Sequence, residues 1–308
     1  MISGVYTRRA ALKAMAGALA AAVPACLFAA QSQTSMSTRP IPSSGAPLPV
    51  IGVGTWQTFD VGAQAPERRE LTEVLRRLAA HGGSVIDSSP MYGESERVVG
   101  DLTAESGLRE RLFFATKVWT RGRDAGIRQM EQSMRLMRTP RIDLMQVHNL
   151  LDVETHTRTL QAWKAEGRVR YIGITHHHAG AHRELEKLVK TGRYDFVQVN
   201  FSIGEREAED RLLPVCAEHR TAVIANRPFA GAGLFGRVRD RPLPPWAAEF
   251  DCASWAQFFL KWILGHGAVT CAIPGTSRTD HLLDNVQAGF GRLPDAAMRK
   301  RMVEYLRA

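Results

Sequence analysis

Two residues able to carry proton chemistry stand five positions apart in "IDSSPMYGESERVVG", residues 86–100: Asp87, straight after a short apolar run, and Tyr92. Lys117 follows in "FFATKVW" and His148 in "IDLMQVHN". A free phenol, with a pKa of ~10, is a poor acid at neutral pH, and a nearby ammonium group pulls it down. A lysine at the end of an apolar strand is costly unless paired, and Asp87 is its natural partner. The chemistry this set predicts is a relay of charge. Asp87 holds Lys117 charged, and Lys117 tunes Tyr92. Tyr92 donates a proton to a carbonyl oxygen as that oxygen becomes an alkoxide. His148 donates a hydrogen bond to the same oxygen and orients it. Each residue alone reads as an ordinary solvated loop position; the recurrence at successive strand ends argues for chemistry.

The elements that must position them alternate from Val50 onward. Short apolar runs suit buried parallel strands at Val50–Trp56, Val85–Ser89, Phe113–Val118, Ile142–His148, Val169–Ile174, Phe196–Asn200, Ala222–Ala225 and Val269–Ile273. Stretches of helical spacing fill the gaps. In "ERRELTEVLRRLAAHGG", Leu71, Val74, Leu75 and Leu78 share one face and Gly82 is a stop. Eight such units predict an α/β fold, a (β/α)8 TIM barrel of one domain, with catalytic groups at the C-terminal strand ends. The alternative, a doubly wound sheet, wants GxGxxG after its first strand, and "GVGTWQ" lacks the third glycine. A last helix is expected over about residues 295–306, outside the barrel.

The totals fit this class. The chain has 308 residues, 44% hydrophobic and 23% charged, ordinary for a folded soluble protein. Its net charge of +9 falls to +6 once Arg8, Arg9 and Lys13 are set aside. The remaining basic residues are scattered, which argues against a nucleic-acid partner. Of the four cysteines, Cys26, Cys216, Cys252 and Cys271, none form a CxxC pair, so neither a zinc site nor a structural disulfide is expected.

The N-terminus reads as an address. Thr7-Arg8-Arg9, Leu12 and Lys13 precede an uncharged Ala-rich stretch from Ala14 to Ala30, the order of an export signal, and the arginine pair resembles the twin-arginine kind. Residues 1–30 are therefore expected to be a signal peptide read by the twin-arginine export machinery, residues 31–39 a Ser/Pro-rich linker, and residues 40–308 the barrel. Cys26 in "VPAC" is a loose match to a lipid-anchor site. The expected location is periplasmic.

At its chemistry-bearing motifs the sequence resembles the aldo-keto reductase family. "VIDSSPMYGESERVVG" looks like that family's aspartate–tyrosine motif, "ATK" like its lysine motif and "DLMQVH" like its histidine motif, in the right order. The resemblance implies a TIM barrel reducing aldehydes or ketones with NADPH, or NADH. It also implies cofactor contacts. In "IPGTSRTDHLLDN", Thr276, Ser277 and Arg278 would meet a 2′-phosphate and Asn285 the adenine. Gln198 would contact the nicotinamide amide, and Gly231 and Gly233 in "RPFAGAGLFG" would let backbone approach the pyrophosphate. Asp60 is a looser candidate for the ribose side, and Trp56, Trp119 and the segment near Trp246 for the substrate.

Two departures stand out. Where the family has Ser-Asn at the carboxamide, "GITHHH" gives Thr175 and His176. Where it stacks an aromatic on the nicotinamide, Asn226 or Arg227 stands. The His176–His178 run is not expected to bind metal, because adjacent loop histidines rarely converge on one ion. The substrate is expected to be a small-molecule carbonyl and the protein a monomer. Two other readings stay open: a non-catalytic nucleotide-binding partner subunit, and a sugar or alcohol dehydrogenase working oxidatively, since free NADPH should be scarce outside the cytoplasm.

Overall fold

The computed structural model describes Met1 and residues 35–307. The chain divides into a unit of residues 1–32 and a unit of residues 33–308, and everything below concerns the second. The expected export signal from residue 2 onward, Cys26 and the first residues of the expected linker lie outside the described residues.

Among the described residues ten strands form: β1 (Thr38–Pro40), β2 (Pro47–Pro49), β3 (Val53–Gly54), β4 (Val85–Asp87), β5 (Phe113–Val118), β6 (Ile142–His148), β7 (Val169–His176), β8 (Phe196–Asn200), β9 (Ala222–Asn226) and β10 (Val269–Ala272). β3 to β10 make one parallel sheet in sequence order. Single bridges from Ile51 to Ala272 and from Gly54 to Gly275 join its two edges, so the sheet closes as a barrel. Ten α-helices among the described residues accompany the strands: α1 (Glu67–Ala80), α2 (Ser95–Glu105), α3 (Arg123–Leu136), α4 (Val153–Ala165), α5 (His182–Val189), α6 (Leu212–Glu218), α7 (Gly233–Arg237), α8 (Trp255–Leu264), α9 (Thr279–Gln287) and α10 (Ala296–Arg307). In α1 the predicted stripe Leu71, Val74, Leu75 and Leu78 is fully buried, each side chain contributing on the order of 1.5–3 kcal/mol. The helix then stops through Gly82 at φ +85°, a conformation that only glycine adopts cheaply.

β1 and β2 pair antiparallel, so residues 38 and 39, placed in the linker by composition, belong to the fold. Prolines are tolerated there because a two-stranded hairpin leaves their missing N–H at an edge. Ile41 and Leu48 from this hairpin cluster with the inward residues Val85, Phe113, Ala115, Leu144, Tyr171, Phe196, Ala222, Ile224 and Cys271. These form the barrel floor, with Phe113, Tyr171 and Phe196 in mutual ring contact. The larger core lies between sheet and helices.

The side-chain period of two carries each inward row upward to the other end of the barrel. Above Val85 stands Asp87, above Ala115 stands Lys117, above Leu144 stand Gln146 and His148, and above Phe196 stands Gln198. One row of positions thus changes from apolar to polar or charged within two residues.

Candidate active site

The four predicted residues meet. Lys117, fully buried, donates to Asp87 Oδ2 at 2.6 Å and to the Ser88 carbonyl at 2.7 Å. The other carboxylate oxygen, Asp87 Oδ1, accepts from Gln198 Nε2 at 2.8 Å and from Gln146 Nε2 at 3.1 Å. Gln198 Oε1 in turn accepts from Thr175 Oγ1 at 3.3 Å and Asn226 Nδ2 at 3.4 Å. A continuous polar network therefore runs from β4 to β9. Gln198, expected at the nicotinamide, is committed to Asp87. Gln146 is a further member of the site that the motifs do not single out. Its signal was its place two residues before His148, on the same side of the strand.

The loop after β4 brings in Tyr92. Its ring centroid lies 4.9 Å from Lys117 Nζ and 6.1 Å from that of His148, edge to face. The loop is braced by Asp60, whose Oδ1 accepts the Glu94 N–H at 2.9 Å. Gly93, at φ +58°, is required twice over, because a Cβ there would stand 2.2 Å from the Asp60 carboxylate. Asp60 thus holds the tyrosine loop, which accounts for it without a ribose.

Electrostatics correct one expectation. Burial raises the Tyr92 phenol, and the Lys117 charge offsets this only in part, so its pKa lies above the ordinary value. Burial also acts to lower Lys117, but Asp87 and then Tyr92 outweigh it, and the ammonium lies above its usual range. His148 is pushed down to about 3 by burial, then by Lys117, His177 and His176, and is neutral at any working pH. The arrangement thus brings a protonated phenol, a fixed cation and a neutral imidazole together. Trp56 and Trp119 are exposed, and the Trp119 ring centroid lies 6.4 Å from that of His148.

The expected cofactor residues fall along the same end of the barrel. Thr175 is buried at the end of β7. His176 follows, its Nδ1 accepting the His177 N–H at 3.0 Å, so its proton sits on Nε2. The His176, His177 and His178 rings pack on one another, and among the described residues no group of three metal-ligating side chains converges. Asn226 Oδ1 is buried and takes no hydrogen bond among the described residues.

After β9 the backbone is left-handed at Arg227, Ala230, Gly231 and Ala232. The turn bonds run from Ala230 N to Arg227 O and from Gly233 N to Ala230 O, leaving the N–H groups of Gly231 and Ala232 outside them. A Cβ at Gly233 would meet nothing within 4 Å. Such a concavity of backbone N–H groups suits an anion. Asn285 is buried and Ser277 exposed. Thr276 Oγ1 accepts the Arg278 N–H at 3.1 Å, which ties it to the turn. Arg278 grips Asp280 at 3.0 and 2.5 Å.

A sequence model of the Aldo/keto reductase family matches residues 50–301. The methylglyoxal reductase YeaE of Escherichia coli is 30% identical over 251 residues, covering 79% of this chain and 86% of that protein. An NADP-dependent D-sorbitol-6-phosphate dehydrogenase of Malus domestica is 26% identical, with 83% and 90% covered. An aldo/keto reductase of Klebsiella pneumoniae, solved in complex with NADP and acetate, superposes with a TM-score of 0.74 at 26% identity, covering 89% of this chain and 95% of the other.

Proposed function

The chain belongs to the aldo/keto reductase family, and from that premise we propose that Asp87, Tyr92, Lys117 and His148 reduce a small aldehyde or ketone to an alcohol using NADPH. The observation that carries the assignment is the fully buried Lys117, locked to Asp87 at 2.6 Å and facing the Tyr92 ring at 4.9 Å. A buried ion pair stabilises a fold weakly at best, so its place beside a half-buried phenol at the mouth of the barrel is better explained by chemistry.

Bound NADPH supplies a hydride to the carbonyl carbon; the residues of this chain act on the oxygen. The Tyr92 phenol, held protonated by burial, gives its proton to the oxygen as negative charge develops there. The phenolate left behind lies against the Lys117 ammonium, which Asp87 keeps charged and in place. Neutral His148 donates a hydrogen bond to the same oxygen, a preorganised contact that in such sites contributes on the order of 10²–10³ in rate.

The residues fit the nucleotide in three places. The free N–H groups of Gly231 and Ala232 suit the pyrophosphate. The unsatisfied Oδ1 of Asn226, a side chain that shares Gln198 Oε1 with Thr175, suits the amide hydrogens of the carboxamide where the family stacks an aromatic. Arg278 suits a 2′-phosphate, which has to draw it from Asp280. Both partners of that pair are exposed, and exposed pairs are weak, so Asp280 is a modest competitor. Ser277 and Asn285 complete the adenosine side in this reading, and His176 offers its Nε2–H where the family has asparagine.

Purified protein incubated with NADPH and a panel of small aldehydes and ketones should consume the nucleotide and form the alcohol. NADPH binding without turnover on any of them would favour a non-catalytic partner role, and turnover only of alcohols with NADP an oxidative one. The export reading rests on Arg8 and Arg9, and their joint replacement by lysine should hold the precursor in the cytoplasm on fractionation, since the two cations are not interchangeable.

A further inference from the structure

Ser89 lies between the two proton-handling residues, after β4 and before Tyr92, and is fully buried. Its Oγ stands 3.1 Å from His148 Nδ1. It also accepts the Met91 N–H at 3.4 Å. A hydroxyl has one hydrogen to give, and among the described residues His148 Nδ1 is the one acceptor within reach of it. In the opposite arrangement Nδ1 carries the proton and donates to Ser89. The serine hydrogen is then buried without a partner, which costs on the order of 1–3 kcal/mol.

We propose that Ser89 is a positioning residue, whose hydroxyl donates to His148 Nδ1 and thereby fixes the tautomer that carries its proton on Nε2. The inference rests on the reading of His148 as the donor to the substrate oxygen. A neutral imidazole has a single N–H, so the nitrogen that holds it decides whether the ring can donate at all. His148 is neutral at working pH, and its Nε2 makes no hydrogen bond among the described residues. Tyr92 edge-on and Trp119 beside it confine the ring plane, while Ser89 sets which nitrogen bears the proton.

The test is a two-bond proton–nitrogen NMR spectrum of protein labelled at histidine, with the His148→Gln variant identifying the resonance. The wild type should show His148 protonated at Nε2, and this measurement needs no change at Ser89. Ser89→Ala should blur that signature and lower kcat about tenfold with KM within about twofold, the rate equivalent of one ordinary hydrogen bond. Ser89→Thr should restore both, and Ser89→Cys, with a weaker donor of similar size, should fall between. A wild-type His148 protonated at Nδ1 overturns the proposal, as does a Ser89→Ala enzyme with unchanged spectrum and kcat. Full turnover in Tyr92→Phe would instead remove the catalytic reading and leave the tautomer standing.

Discussion

Two ion pairs of nearly equal length sit at opposite ends of the site and behave differently. Lys117–Asp87, at 2.6 Å, has side chains 0% and 4% exposed; Arg278–Asp280, at 2.5 Å, has side chains 63% and 62% exposed. The first has no water to fall back on, so Ser88, Gln146 and Gln198 must complete its hydrogen bonds, and one geometry results. The second can exchange either partner for water or for a phosphate. The proposed catalytic end is thus built before a ligand arrives, while the proposed adenosine edge stays adjustable. Burial, rather than distance, separates a fixed catalytic pair from a replaceable one.

Breaking the buried pair should have the larger effect. Lys117→Met should cut turnover by at least about 10²-fold through loss of support for the phenolate. It should also lower unfolding free energy by about 3–5 kcal/mol, because Asp87 is left charged and buried, as denaturant titration would show. A comparison of pH profiles sharpens the same point. Reduction needs the protonated phenol, and Tyr92 is raised above its ordinary range. The rate should therefore fall only as pH rises through that raised value. His148, at about 3, should add no inflection near neutrality, and one near the usual histidine pKa of ~6.5 would contradict the assignment.

Gln146→Leu removes one donor to Asp87 Oδ1 while Gln198 remains. A stability loss of about 1 kcal/mol is expected, with turnover reduced less than in the lysine variant. At the adjustable edge, Arg278→Ala should weaken NADPH about tenfold and NADH hardly at all in fluorescence titrations, since only the former offers a charge-assisted phosphate contact. Equal losses for both nucleotides would break the comparison by removing Arg278 from the phosphate.

Much of this was legible in the sequence. The runs Phe113–Val118, Ile142–His148 and Phe196–Asn200 are strands with those bounds, because apolar runs buried on both faces announce themselves. The first strand was overdrawn. Of Val50–Trp56 only Val53–Gly54 pairs as a strand, and single bridges join Ile51 to Ala272 of β10 and Gly54 to Gly275 just beyond it. Asp87, Tyr92, Lys117 and His148 were legible as ionisable residues at strand ends. Gln146, an uncharged amide inside an apolar run, was marked only by its place two residues before His148. The direction of the Tyr92 shift was also hidden. Sequence spacing reveals that a lysine is near, but not that burial outweighs it. Asp280, two residues from Arg278, was in plain view, but its pairing with the guanidinium appears only in the folded turn.

The central claim is that the Tyr92 hydroxyl protonates the substrate oxygen and does nothing for nucleotide binding. Tyr92→Phe keeps the ring that packs against His148 and removes only the phenolic oxygen. Single-turnover rates with a saturating aldehyde, measured beside NADPH affinity in the same preparation, test this most directly. The predicted result is a rate at least about 10²-fold lower with an unchanged dissociation constant. A Phe variant that reduces the aldehyde at the wild-type rate would contradict the account.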